Sequence, residues 1–232
     1  KNDPNLVTVI NILNEKKIFY WIGQGTLLGI HRDNKLIEWD HDIDICVWHD
    51  SNNKENTIKL LESAGFEYRE DLEFGDDKEQ MSFDKSGGRR VDINFYLKGK
   101  SEDGEKIAFI KWAVPRNIFM KTIDAISNAD TYDSKFKIII KGLRFFKPLA
   151  MYLKNISIEK KLFYKFAGYQ QPLRLLQNFK TINFHNLKVT IPLYVEEYLE
   201  YLYGVNWKIP QKRFSWWKTK NLKNKFEENK IK

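Results

Sequence analysis

Three aspartates at alternating positions, Asp40, Asp42 and Asp44, constrain this chain more than any other feature. Ile43, Ile45 and Val47 lie between and after them, so apolar residues recur with period two and the segment reads as a strand. Side chains two apart on a strand share a face, so Asp42 and Asp44 point the same way. Two neighbouring carboxylates repel each other unless a cation sits between them. A hard divalent ion with oxygen ligands, Mg²⁺ or Mn²⁺, is the natural occupant.

The segments before this strand suggest what the cation would serve. Asp3-Pro4 is a helix start, and Leu6, Val9, Ile10 and Leu13 follow at helical spacing up to Glu15-Lys16-Lys17. Residues 18–22 form a short, apolar, aromatic run that reads as a buried strand. Gly23-Gln24-Gly25-Thr26 is a turn, and a short helix is expected over 26–30. The N-terminus of such a helix offers backbone N–H groups to a phosphate. Glycines needed only for a tight turn explain the same residues about as well. Residues 31–39 are polar and hairpin-like, with Asp33-Asn34 as turn formers.

A third acid lies further on. In Arg89-Arg90-Val91-Asp92-Ile93-Asn94-Phe95-Tyr96 the apolar residues alternate with Asp92, Asn94 and Tyr96. A charge central in an apolar strand needs a partner, so Asp92 is the candidate third carboxylate. An edge-strand aspartate facing solvent is the competing reading. Between these strands, 53–64 reads as a helix ended by Gly65, 66–69 and 81–83 as short strands, and Gly75-Asp76-Asp77 as a turn. Residues 105–114 complete the strands.

Beyond about residue 120 the pattern becomes helical, with helices expected over 136–153, 159–166, 173–179 and 194–203. The expected division is therefore a catalytic core over 1–118, a mainly helical C-terminal part over 119–215 and a basic tail over 216–232. No internal repeat and no long linker interrupts it. The expected fold class is α/β (α+β), a mixed sheet flanked by helices.

Composition narrows the partners. A net charge of +8 favours an anionic partner such as a nucleotide, a phosphorylated glycan, a nucleic acid or an acidic membrane surface, against a plain Lys-rich solvated face. One cysteine, Cys46, excludes an internal disulfide and multi-cysteine zinc sites, and its apolar setting reads as buried filler. It fits a reducing compartment, such as the cytoplasm at the inner face of a bacterial membrane; in a eukaryote the expected location is the Golgi lumen. The sequence opens at Lys1 without a methionine, which leaves an upstream signal or anchor open.

A glycine turn, an acid-x-acid strand and a later third acid together resemble the nucleotidyltransferase superfamily. More closely, Gly25-Thr26-Leu27-Leu28-Gly29-Ile30-His31-Arg32 and Ile37-Glu38-Trp39-Asp40-His41-Asp42-Ile43-Asp44 resemble the LicD/fukutin family. That family carries Pro where this chain has Glu38. Ile191-Pro192, Glu196-Glu197-Tyr198-Leu199 and Tyr203-Gly204-Val205-Asn206-Trp207 resemble its closing segment, whereas 97–189 match only in general character.

The resemblance implies transfer of a phospho-alcohol (phosphocholine, ribitol phosphate or glycerol phosphate) from a CDP-activated donor to a hydroxyl of a cell-surface glycan, with CMP released. Two Mg²⁺ or Mn²⁺ ions on Asp42 and Asp44, one shared with Asp92, would serve the diphosphate, with Asp40 as a further ligand or a loop-orienting residue. Asp92 or a nearby carboxylate would be the general base. Gly25 and Thr26 would meet donor phosphates through backbone N–H and hydroxyl. Arg32 suits phosphate oxygens or pairs with an aspartate, and Gln24 suits the base or the acceptor. Arg89, Arg90, His31, His41 and the tryptophans Trp207, Trp216 and Trp217 are weaker candidates. The acceptor would be a saccharide or a lipid-linked saccharide, with peripheral membrane association and no nucleic acid expected. Two other readings compete: a nucleotidyltransferase that adds NMP from an NTP to RNA, protein or a small molecule, and a non-enzymatic basic module with a structural cation.

Overall fold

The computed structural model describes residues 2–49, 54–69, 79–101, 103–129, 136–160, 162–212 and 225–227. Helix α1 (Pro4–Glu15) begins where the Asp3 carboxylate accepts from the Asn5 and Leu6 N–H groups, at 2.9 and 3.4 Å. Its buried stripe is Leu6, Val9, Ile10 and Leu13, the face expected from their spacing. Asn5, itself buried, donates to the carbonyls of Lys85 and Arg89 and ties α1 to the entrance of a central strand.

The sheet grows around the acidic strand. Strand β1 (Trp21–Ile22) pairs antiparallel with β2 (Asp42–Trp48). Helix α2 (Gln24–Asp33) joins them, so the stretch 31–39 is not the expected hairpin. Residues 31–33 continue the helix, and Asn34, at φ 51°, supplies the left-handed cap that ends it. After α3 (Lys54–Ser63), β3 (Glu67–Tyr68) and β4 (Gln80–Asp84), the chain enters β5 (Arg90–Lys100). Strand β5 runs parallel to β2, in register from Asp42–Arg90 to Trp48–Tyr96. A parallel pair needs a long crossover, and the α3 segment provides it. Such strands are covered on both faces, which accounts for the complete burial of Ile43, Ile45, Cys46, Val91 and Ile93.

Strand β4 pairs antiparallel with the first half of β5, and β6 (Lys106–Pro115) pairs with its second half. Beyond β6 the helices α4 (Ile118–Ser127), α5 (Lys137–Gly142) and α6 (Lys147–Glu159) follow, with a 3₁₀ turn at Arg144–Phe146. Residues 159–166 and 173–179 depart from the expected helices. Tyr164–Pro172 is strand β7, Leu173–Leu176 is a 3₁₀ turn, and Phe179–Phe184 is strand β8, which forms a hairpin with β9 (Leu187–Pro192). The reason lies at Gly168: a Cβ there would strike the Ile110 carbonyl oxygen, so glycine lets β7 lie flush against β6. Helix α7 (Val195–Tyr203) ends at Gly204 as expected. Of the expected basic tail only 225–227 is described, and it is a short strand β10 on β7. The Gly75-Asp76-Asp77 turn, Trp216 and Trp217 lie outside the described residues.

The main core lies between the sheet, α1, α2, α7 and the β8–β9 hairpin. At its centre the Trp21 ring meets Trp48 at 4.9 Å, Tyr96 at 5.3 Å and Phe179 at 5.5 Å.

Candidate active site

Asp44 and Asp92 are register partners on β2 and β5. Parallel neighbours in register point their side chains to the same face, so both carboxylates line one cavity, with Asp42 at the start of β2 and Asp40 in the loop before it. The cavity, of about 540 Å³, is walled by Gln24, Gly25 and Arg32 from α2 and by Trp39 and the buried Trp207. Gln80 of β4, Tyr169 of β7 and Tyr203 of α7 complete its polar wall.

Asp44 is buried, and its main side-chain contact is the Asn94 amide at 3.4 Å. Burial pushes its carboxyl well above the ordinary range, and Asp42, Asp92 and Asp40 push it further. Burial likewise raises Asp92 to about 6, against hydrogen bonds from Ser82 Oγ (2.7 Å) and Gln80 Nε2 (2.8 Å) that favour the charged form. Asp40 is raised to about 7 by burial first and by Asp42 second. Four acidic groups are thus crowded into a partly desolvated pocket. Among the described residues no ion pair compensates Asp40, Asp42, Asp44 or Asp92.

The glycine turn acts at close quarters. Gly23 is the extended N-cap of α2, and Gln24 follows at φ 48°, a conformation unusual outside glycine. The Gln24 amide donates to the Tyr169 hydroxyl at 2.7 Å, which turns the wall residue toward β7. A Cβ on Gly25 would fall inside contact distance of Asp40 Oδ2, so this glycine lets the acidic loop close over α2. Thr26 departs from the phosphate role expected of it. It is buried, does not line the cavity, and its hydroxyl accepts the Asp44 backbone N–H at 2.8 Å. Its task is to lock the start of α2 to the acidic strand.

Of the remaining candidates, Arg32 lines the cavity but forks onto Asp33, with Nε–Oδ1 at 3.0 Å and Nη2–Oδ2 at 2.7 Å. Its partner is therefore outside the acidic set. Arg89 approaches Asp3 at 3.9 Å, and Arg90 approaches Asp84 at 3.2 Å. His31 stands 5.8 Å from the Trp207 ring and 3.8 Å from Glu196, and His41 is exposed. Gln80, Tyr169 and Tyr203 were not legible as cavity residues. Gln80 sits on a strand too short to show alternation, and Tyr169 lies in the stretch that matched no motif.

The LicD/FKTN/FKRP nucleotidyltransferase domain matches residues 17–121. The matched span contains β1, α2, β2 and β5 and all four acids of the cavity. The chain is also 23% identical over 204 residues to the ribitol-5-phosphate transferase FKTN of Macaca fascicularis, a match that covers 88% of this chain and 32% of that protein. The chain therefore spans about a third of the length of this relative. A lincosamide antibiotic adenylyltransferase solved with lincomycin bound is 14% identical over 82% of each chain, with a TM-score of 0.38.

Proposed function

We propose that this LicD domain is the catalytic part of a metal-dependent transferase that moves a phospho-alcohol from a CDP-activated donor to a glycan hydroxyl, forming a phosphodiester and releasing CMP. The observation that carries the reading is the register of Asp44 against Asp92, beside Asp42, in an open cavity within the family span. A cavity of this size suits a nucleotide-sized ligand.

The donor set fits the cation the chemistry needs. The oxygens offered are carboxylates, the ligands preferred by Mg²⁺ and Mn²⁺. Among the described residues no three His, Cys, Asp or Glu side chains close a metal cage on their own. Mg²⁺ is commonly held by one or two carboxylates while substrate phosphates and water complete its shell, so an incomplete cage agrees with a substrate-completed site. The burial that drives Asp44 and Asp92 toward the neutral form also favours a positive charge beside them. Asp42, Asp44 and Asp92 would hold Mg²⁺, with Asp40 as a further ligand. When bound, Mg²⁺ supplies neutralisation of the diphosphate charge.

The chain's own groups then position the reaction. The acceptor oxygen attacks the phosphorus that bears the alcohol, and the bond from that phosphorus to the CMP oxygen breaks. The acceptor proton passes to Asp92 or a neighbouring carboxylate. Gly25 and Gln24 border the space for the diphosphate, and the Trp39 and Trp207 rings that line the cavity offer stacking surface for base or sugar. The test is incubation with CDP-ribitol, CDP-glycerol and CDP-choline in turn, with a glycan acceptor and an NTP control. Acceptor-dependent CMP release from one CDP-alcohol is expected. Release of pyrophosphate from the NTP alone would overturn the reading.

A further inference from the structure

The helical layer beyond β6 carries a surface that the transfer reaction does not use. Helices α4, α5 and α6 and the 3₁₀ turn pack on one another, but their shared core is small: Met120, Ile123 and Ala150 against Tyr164. The large apolar side chains of the layer mostly face outward. Ile118 and Phe119 on α4 are 83% and 67% exposed, and Ile138 on α5 is 88% exposed. Phe145 in the 3₁₀ turn and Leu149 and Tyr152 on α6 are each more than half exposed. Large apolar side chains exposed in such number on one segment mark an interaction site on a folded protein.

The charge of the same segment says which partner fits. Helix α4 and residues 136–160 together hold seven basic side chains (Lys121, Lys137, Lys141, Arg144, Lys147, Lys154 and Lys160) and two acids, Asp124, which pairs with Lys154 at 2.7 Å, and Glu159. Two copies of such a face would oppose like charges, which disfavours self-association through it. Outward apolar residues interleaved with lysine and arginine are the composition of a layer lying in a lipid interface, with apolar groups among acyl chains and cations at anionic headgroups. No helix among the described residues is long and apolar enough to cross a membrane, so the layer would lie on the bilayer.

We propose that α4, α5, the 3₁₀ turn and α6 form a docking face for the surface of an anionic lipid bilayer. The inference is independent of which phospho-alcohol is transferred, or whether any is.

The test is co-sedimentation of the full chain with large unilamellar vesicles, either of phosphatidylcholine alone or with about one-third phosphatidylglycerol. Binding to the anionic vesicles is expected to be roughly tenfold tighter and to weaken as salt is raised. The double variant Ile138→Ser/Phe145→Ser should weaken that binding by roughly tenfold. Lys141→Glu should reduce the preference for anionic over neutral vesicles. These side chains are exposed, so unchanged far-ultraviolet circular dichroism and melting would show that the variants fold. No preference for anionic vesicles, or equal binding by the double variant, would overturn the proposal. A dimer in light scattering that the double variant breaks, without vesicle binding by the wild type, would assign the face to a second copy instead.

Discussion

Asp44 and Asp92 sit directly across from each other on adjacent parallel strands, forty-eight residues apart in sequence. Asp44 is anchored on both sides: Thr26 accepts its backbone N–H and the Asn94 amide faces its carboxylate. This arrangement predicts that Asp44→Asn and Asp92→Asn each lower kcat by at least about a hundredfold, the scale of removing a charge-stabilising group at a reacting centre. Each variant keeps the shape of the side chain, so the fold should persist. Steady-state CMP release together with circular dichroism checks both parts, and near-normal turnover in either variant would contradict the assignment.

The buried acids also predict how stability follows pH in metal-free protein. Asp92 and Asp40 bind a proton more tightly folded than unfolded, since burial raises them from 3.8 to about 6 and about 7. For a raised folded pKa, the stabilisation is complete below the unfolded value and is lost as pH rises through the folded value. The melting temperature in EDTA should therefore fall between pH 5 and pH 8. For Asp92 a shift of roughly two pK units corresponds to about 3 kcal/mol at most. Asp92→Asn should match wild type only below about pH 4 and exceed it increasingly up to pH 8, and Mg²⁺ should stabilise wild type more at pH 8. Calorimetry showing a rise in stability from pH 5 to pH 8 would contradict the buried-acid cluster.

Gly25 predicts a coupling between the glycine turn and the acidic loop. A methyl group at this position would displace the Asp40 carboxylate. Gly25→Ala should lower kcat/KM by roughly tenfold, and Asp40→Ala should lower it comparably. Because both act on one contact, the double variant should lose far less than the product of the two effects. Full additivity in the double-mutant cycle would show that Gly25 serves some purpose other than admitting Asp40.

Thr26 distinguishes a structural hydroxyl from a substrate-binding one. Thr26→Val leaves the buried Asp44 N–H without its acceptor and should cost about 1–3 kcal/mol in urea unfolding. Thr26→Ser keeps the acceptor and should recover most of that loss. A raised KM for the donor with unchanged stability would restore the phosphate-contact role.

The acidic strand was legible because period-two alternation is local, and Asp92 was legible because a charge in an apolar strand calls for a partner. Their direct register was not, since the crossover between them sets it and no spacing in the sequence states it. The β7 strand was not foreseen, and its first three residues fell in an expected helix over 159–166, because its aromatic and amide residues show little alternation and its pairing depends on Gly168 fitting beneath β6. Thr26 and Arg32 had the right chemistry for phosphate, but folding gave them the partners Asp44 N–H and Asp33 first. Gln80 and Tyr169 reach the cavity from strands whose neighbours are distant in sequence, so composition alone could not bring them there.

The most direct measurement is ³¹P NMR of a reaction containing the protein, Mg²⁺, a CDP-alcohol and a glycan acceptor. The predicted result is loss of the diphosphate signals and matched growth of a phosphomonoester signal from CMP and a phosphodiester signal on the glycan, abolished by EDTA and by Asp44→Asn. No phosphodiester from any CDP-alcohol, or a phosphodiester whose formation is unaffected by Asp44→Asn, would contradict phospho-alcohol transfer at the Asp42–Asp44–Asp92 site.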